Sequence, residues 1–245
     1  MASGTRPSDV QTGTPEITTL PKAQLPTLES GDHLTRAEFE RRYSLRPDIK
    51  KAELIEGVVY VMSSAVRYRR HGSPHYHLVT WLGTYTAATP GLEGADDTSV
   101  RLDEDNEPQP DILLRIPSER GGKSRVSEDD YLEAAPDFVV EIAASSASYD
   151  LHSKKDVYRR SGVREYLVFL TEQPEVRWFA LREGRYVQLE ADPGGTIRSQ
   201  IFPGLWLNNT ALLAGDLAGV LQLLQQGIAS PEHAAFVERL RQAGA

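Results

Sequence analysis

The chain has 245 residues, 40% of them apolar and 25% charged, with a formal net charge of −8 and no cysteine. That is enough for one large domain, or a domain with appendages, built on a real core. It excludes disulfides and thiolate metal sites, and it argues against a protein that grips nucleic acid over a broad basic surface.

No apolar run approaches a membrane span, and the N-terminus lacks a charged start followed by an apolar stretch, so neither a transmembrane segment nor a signal peptide is expected. With cysteine absent, a cytoplasmic protein is the expectation. Residues 1–30 are rich in Thr, Pro and Ser without periodicity and read as a disordered tail. Thr35, with Glu38 three residues on, has the spacing of a capping box and opens a short helix. ELIEGVVYVMSS (53–64) predicts a hairpin or bent strand with Gly57 at the bend. RYRRHGSPHYHLVTWLGTYTAATPG (67–91) opens basic and turns helical, with Leu78, Leu82 and Tyr85 on one face and Pro90-Gly91 as its end.

A strand is predicted at Thr98 to Leu102, then an acidic turn, then EPQPDILL (107–114). Residues 115–130 read as a long polar loop. APDFVVEIAASS (135–146) is a second apolar strand, and Asp150 is a suitable cap for a helix over 151–161, with Gly162 as its stop. REYLVFL (164–170) completes a strand–helix–strand crossover. Hairpin strands punctuated by Glu183-Gly184 follow, and FPGLWLN (202–208) reads as a closing edge. An apolar stripe of Leu217, Val220, Leu221, Leu224 and Ile228 and a final helix from Pro231 make a helical extension over 214–245.

Two of these strands carry an acid where burial is expected: Asp111 beside Ile112-Leu113-Leu114, and Glu141 after Phe138-Val139-Val140. A carboxylate in such a strand is costly unless it is paired or binds a metal, so the pair is a candidate divalent-metal site. On the following helix, Leu151, Val157, Tyr158 and Ser161 define the inward face. Lys154 lies in its middle and Lys155 about 100° further round. Other chemistries fit poorly. Residues 121–124 (Gly-Gly-Lys-Ser) lack the glycine spacing of a phosphate loop, and the serines at 145, 146 and 148 lack a nucleophile-elbow context. The histidines at 71, 75 and 77 do not have zinc-ligand spacing.

In order, ELIEGVVYVMS, HGSPHYHLV, VRLDEDNEPQPDILL, APDFVVEIAASSAS, DLHSKKDVYRRSGVREYLV and FPGLWL make the chain resemble the Uma2 family of restriction-endonuclease-like proteins. The likeness runs from about Leu34 to Leu213, roughly three-quarters of the chain, within a domain set at 31–213. It implies the PD-(D/E)XK nuclease superfamily: a mixed central α/β sheet flanked by helices and a Mg²⁺ (or Mn²⁺)-dependent endonuclease acting on DNA. By the same resemblance Pro110-Asp111 matches the first half-motif and Glu141 the second acid. The superfamily lysine two residues later is Ala143 here, and Lys154 takes its place. The resemblance further implies a metal held by Asp111, Glu141 and the Ile142 carbonyl, with Glu56 as an additional acid. Arg70, His71 and His75 are the expected phosphate contacts. A homodimer is expected from the apolar stripe and from the need to cut two strands. The alternative is a non-catalytic nucleic-acid-binding or protein-interaction module that keeps the fold.

Overall fold

The strand that follows Asp111 and the strand holding Glu141 are neighbours in the computed structural model, which describes residues 26–62, 65–144 and 146–244. The strands are β1 (Lys51–Ile55), β2 (Val58–Met62), β3 (Glu93–Asp96), β4 (Val100–Arg101), β5 (Ile112–Arg115), β6 (Arg125–Val126), β7 (Leu132–Glu133) and β8 (Phe138–Ala143), then β9 (Glu165–Leu170), β10 (Glu175–Arg182), β11 (Arg185–Gln188), β12 (Thr196–Arg198) and β13 (Trp206–Asn208). The helices are α1 (Arg36–Ser44), α2 (Ser73–Ala87), α3 (Ala147–Tyr149), α4 (Lys155–Ser161), α5 (Asn209–Leu213), α6 (Leu217–Ile228) and α7 (Pro231–Ala243). Wider π-type turns at Tyr68–Gly72 and Asp150–Lys154 lead into α2 and α4.

The central sheet is mixed, in the order β11-β10-β9-β8-β5-β3. Only β8 and β9 are parallel, because the helical crossover between them returns the chain in the same direction. Strands β5, β8 and β9 are buried along their whole length, as continuous apolar runs require when both faces are covered. On one face Phe138, Val140 and Leu167 pack with Trp81 and Tyr85 of α2, with Trp178, and with Val220, Leu224, Phe236 and Leu240 of the last two helices. On the other, Val139, Tyr166 and Val168 pack against Tyr158 of α4. The hairpin β1–β2 closes at Glu56-Gly57 with both residues at positive φ, the geometry that matches strand twist. It packs with Leu28 and Phe39 as a third cluster, and Leu54 pairs with Glu107, just ahead of Asp111.

Several expectations change. Residues 1–25 of the tail and Ser145 lie outside the described residues, but Leu28 is buried, so the part from 26 onward is packed chain. The helices beyond 213 are not an appendage, since they share the main core. The packing is close enough that a Cβ on Gly204 would stand 2.6 Å from the Gly227 carbonyl oxygen. The apolar stripe is therefore spent within its own chain and lends no support to a homodimer. The strand expected at 98–102 shortens to β4, and the long polar loop contributes β6 to a small sheet with β4 and β7. Asp150 is not a cap. The helical turn begins at Ala147, and Asp150 is carried inward and buried. Among the described residues no helix is long and apolar enough to cross a membrane.

Candidate active site

Continuing the β5–β8 register one step past Ile112 and Val140 sets Asp111 opposite Glu141. Alternation puts Glu141 on the same face as Val139 and Ala143, the face that α4 covers. Both carboxylates are buried. The Asp111 Oδ2 accepts the Ile142 N–H at 2.8 Å, and its Oδ1 receives the Lys51 ammonium at 2.9 Å with His71 Nε2 at 3.4 Å. Burial alone would favour the neutral acid. His71, Lys51 and the Ile142 N–H outweigh it and hold Asp111 well below the usual carboxylate range.

Lys154 is the centre of the cluster. Its Nζ lies 2.6 Å from Glu141 Oε1, 2.9 Å from Glu53 Oε1 and 3.9 Å from Asp150 Oδ1. Burial would discharge it, but Glu141, Glu53 and Asp150 raise its pKa well above the usual lysine value. Lys155 turns away, its amine 3.5 Å from the centre of the Phe179 ring. Glu141 is pushed upward by burial, then by Asp111, Asp150 and Glu53, while Lys154 opposes the shift. Its Oε1 also accepts the Tyr158 hydroxyl at 2.9 Å. Burial likewise lifts Asp150 to about 6.

Two site residues come from a strand that sequence reading treated only as a hairpin. Lys51 and Glu53 alternate onto one face of β1, and the Leu54–Glu107 pairing brings that face to Asp111. Glu56, expected among the acids, is instead in the hairpin turn, at φ 54° and exposed, where it meets Arg160 at 2.7 Å. The clue to Glu56 was in the sequence: a two-residue Glu-Gly turn removes it from the strand. The basic stretch divides as well. His71 reaches the Asp111 side chain and His75 Nε2 reaches its main-chain oxygen at 3.1 Å, whereas Arg70 pairs with Glu172 at the surface. At the rim, His75, Asp96 and Asp97 hold ligand-type atoms within 4.8 Å of one another.

The donor set fits a divalent cation. Four buried carboxylates, Glu53, Asp111, Glu141 and Asp150, are gathered here, three of them on Lys154 and Asp111 on Lys51. Glu53 Oε2 is buried and has no hydrogen-bond partner among the described residues, an expensive state for a carboxylate oxygen unless a cation meets it. All-oxygen donors suit magnesium or manganese.

This sheet, its crossover helix and the acid–lysine cluster on one face define a nuclease-like α/β fold. The chain is similar to the crystal structure of a putative nuclease belonging to DUF820 from Anabaena variabilis ATCC 29413. The TM-score is 0.51 at 14% identity, and the match covers 67% of this chain and 90% of that one. No curated protein matches. The family model of Uma2, described as "Putative restriction endonuclease", matches residues 36–210, and the chain belongs to that family.

Proposed function

We propose that the protein is a metal-dependent nuclease that hydrolyses phosphodiester bonds in DNA. The observation that carries this reading is the buried cluster of three carboxylates around Lys154 beside Asp111, with the unpartnered Glu53 oxygen. Asp111, Glu141 and Glu53 would hold Mg²⁺ or Mn²⁺, with the Ile142 carbonyl as a main-chain donor. Bound there, the cation supplies polarisation of the scissile phosphate and a lowered pKa for water.

The protein's own groups do the rest. Lys154 is held protonated by three acids, so it serves as a fixed positive charge toward developing phosphoryl charge and not as a base. Glu53 and Asp150 fix where that ammonium sits. The Ile142 N–H holds one Asp111 oxygen in place and leaves the other toward Lys51 and His71. The contact with Asp111 raises the His71 pKa and so favours its charged form at the mouth of the site, where an approaching phosphate would meet it.

The test is nicking of supercoiled plasmid in magnesium, wild type beside Asp111→Asn, with thermal melts in and out of the metal. The expected result is slow magnesium-dependent nicking that Asp111→Asn abolishes while the fold persists. Asparagine keeps the size but removes a charge that holds the cation. Equal nicking by both proteins would overturn the reading. No nicking together with no magnesium shift of the wild-type melt would assign the protein to a non-catalytic module on the same fold.

A further inference from the structure

Seven large hydrophobic side chains are exposed among the described residues, and three of them, Val66 at 73%, Tyr68 at 78% and Tyr76 at 65%, fall within one eleven-residue stretch. Arg67 and Arg69, both exposed, lie in the same stretch of a chain whose net charge is −8. The π-turn Tyr68–Gly72 runs straight into α2, so Tyr68, Gly72 and Tyr76 follow at steps of four along one side. A Cβ built on Gly72 meets nothing within 4 Å, so the space between the two rings is open. The preceding row, His71 and His75, stacks ring on ring at 5.5 Å and touches Asp111 through both imidazoles. One row of this helical segment therefore faces the acidic cluster, and the next row presents two aromatic rings to solvent.

We propose that Tyr68 and Tyr76, flanked by Arg67 and Arg69, form a stacking platform for the unpaired bases of a single-stranded polynucleotide whose backbone passes the Asp111 site. The inference rests on the nuclease reading above and narrows its substrate to strands with unpaired bases. Exposed ring faces beside arginines are what such strands require, because every base offers a π-face whatever its sequence. Paired bases in a duplex keep those faces stacked on one another. The rings stand about 12 Å apart along the helix, roughly the length of three or four nucleotides at ~3.4 Å each. The arginines match the phosphates in charge, and they stand on the segment that also contacts Asp111. A membrane surface would also accept tyrosine and arginine, as would a second copy of the chain, but neither explains why the platform adjoins the carboxylates.

The test uses full-length protein in EDTA, so that binding is read without cleavage, with fluorescence anisotropy of a labelled oligothymidylate and of a mixed-sequence duplex. The oligothymidylate should bind about tenfold or more tighter than the duplex. Tyr68→Ala/Tyr76→Ala should weaken it by roughly ten- to a hundredfold, while Tyr68→Phe/Tyr76→Phe retains it, since stacking needs the ring and not the hydroxyl. Arg67→Gln/Arg69→Gln should lower the slope of log affinity against log salt by about 0.7 per lost contact. Equal binding of single strand and duplex, or affinity unchanged by the alanine pair, overturns the proposal. So does an alanine pair that leaves oligonucleotide binding intact but abolishes a dimer seen by light scattering or binding to phosphatidylglycerol vesicles. The two readings fail separately. Tyrosine-dependent strand binding without any nicking removes the nuclease and keeps the platform. Asp111-dependent nicking with binding indifferent to the tyrosines does the reverse.

Discussion

Glu141 and Glu165 stand on adjacent parallel strands, and both are buried. Their surroundings differ in one respect. Around Glu165, Oε2 accepts the Trp178 indole N–H at 3.1 Å and the Ser199 hydroxyl at 2.9 Å, and Oε1 accepts the Gln200 N–H at 2.6 Å. That acid is satisfied by neutral donors and fastens β9 to β10 and to the segment after β12. Around Glu141 the groups are ionisable, Lys154 is shared among three acids, and a neighbouring carboxylate oxygen has no partner. Burial of an acid therefore does not mark a site. An acid cluster whose requirements the protein leaves unmet does.

The largest effect that sharpens this contrast is expected from Lys154→Met. Removing the amine leaves Glu53, Glu141 and Asp150 buried against one another, and breaking such a pairing costs about 3–5 kcal/mol. Magnesium should restore part of that loss, because a cation in the cluster takes the place of the positive charge that the three acids shared. Urea denaturation with and without magnesium measures both. Stability lost equally in the two conditions would mean that no cation enters.

Glu165→Gln is the control from the other side. It puts an amide among donors and should cost about 1–3 kcal/mol, with the magnesium shift and nicking unchanged. It also carries a pH signature. Burial, opposed by the three donors, pushes Glu165 up to about 7. A folded-state value above the unfolded one means that this group's contribution is whole below the ordinary carboxylate range and drains away as pH rises through about 7. Wild-type melting temperature should fall across that window, and the variant should show a flatter profile.

Metal affinity should follow the pH in the opposite sense. Burial and the neighbouring acids favour a proton on Glu141, and a cation must displace it. Titration calorimetry should therefore show affinity rising with pH, by up to about tenfold per unit for one released proton. It should also show a heat that changes with the ionisation enthalpy of the buffer. Affinity independent of pH would mean that Glu141 is already charged in the metal-free protein.

Much of this was legible in the chain. Continuous apolar runs fix β5, β8 and β9 as doubly covered strands, and the strand–helix–strand spacing fixes the parallel pair. Helical phase selects Lys154 over Lys155 because Val157 and Tyr158 set the inward face, even though Lys154 ends a π-turn. Lys51, Glu53 and Asp150 were not legible. The first two depend on how the β1–β2 hairpin docks through the Leu54–Glu107 pairing, a contact across fifty residues that no local pattern encodes. Asp150 has the residue type and position of a cap, and only the helical turn starting at Ala147 turns it inward. The C-terminal stripe reads equally as core or as interface, since amphipathicity states that a face must be covered and not by what.

The smallest effect belongs to Glu56, and it separates the two ends of one hairpin. Glu56 and Glu53 are three residues apart, but the turn leaves the first exposed beside Arg160 while the second is buried against Lys154. An exposed pair of this kind contributes between nothing and about 1 kcal/mol. Glu56→Ala should shift stability by no more than that, and the magnesium-dependent melt and the nicking rate should stay at wild-type levels. Glu53→Gln, by contrast, keeps the size of the side chain but removes the charge of one of the three carboxylates that hold Lys154 in place. It should weaken metal binding and turnover together. A nicking rate that falls with Glu56→Ala and not with Glu53→Gln would mean that the hairpin docks differently when substrate is bound, and the acid set around Lys154 would have to be redrawn.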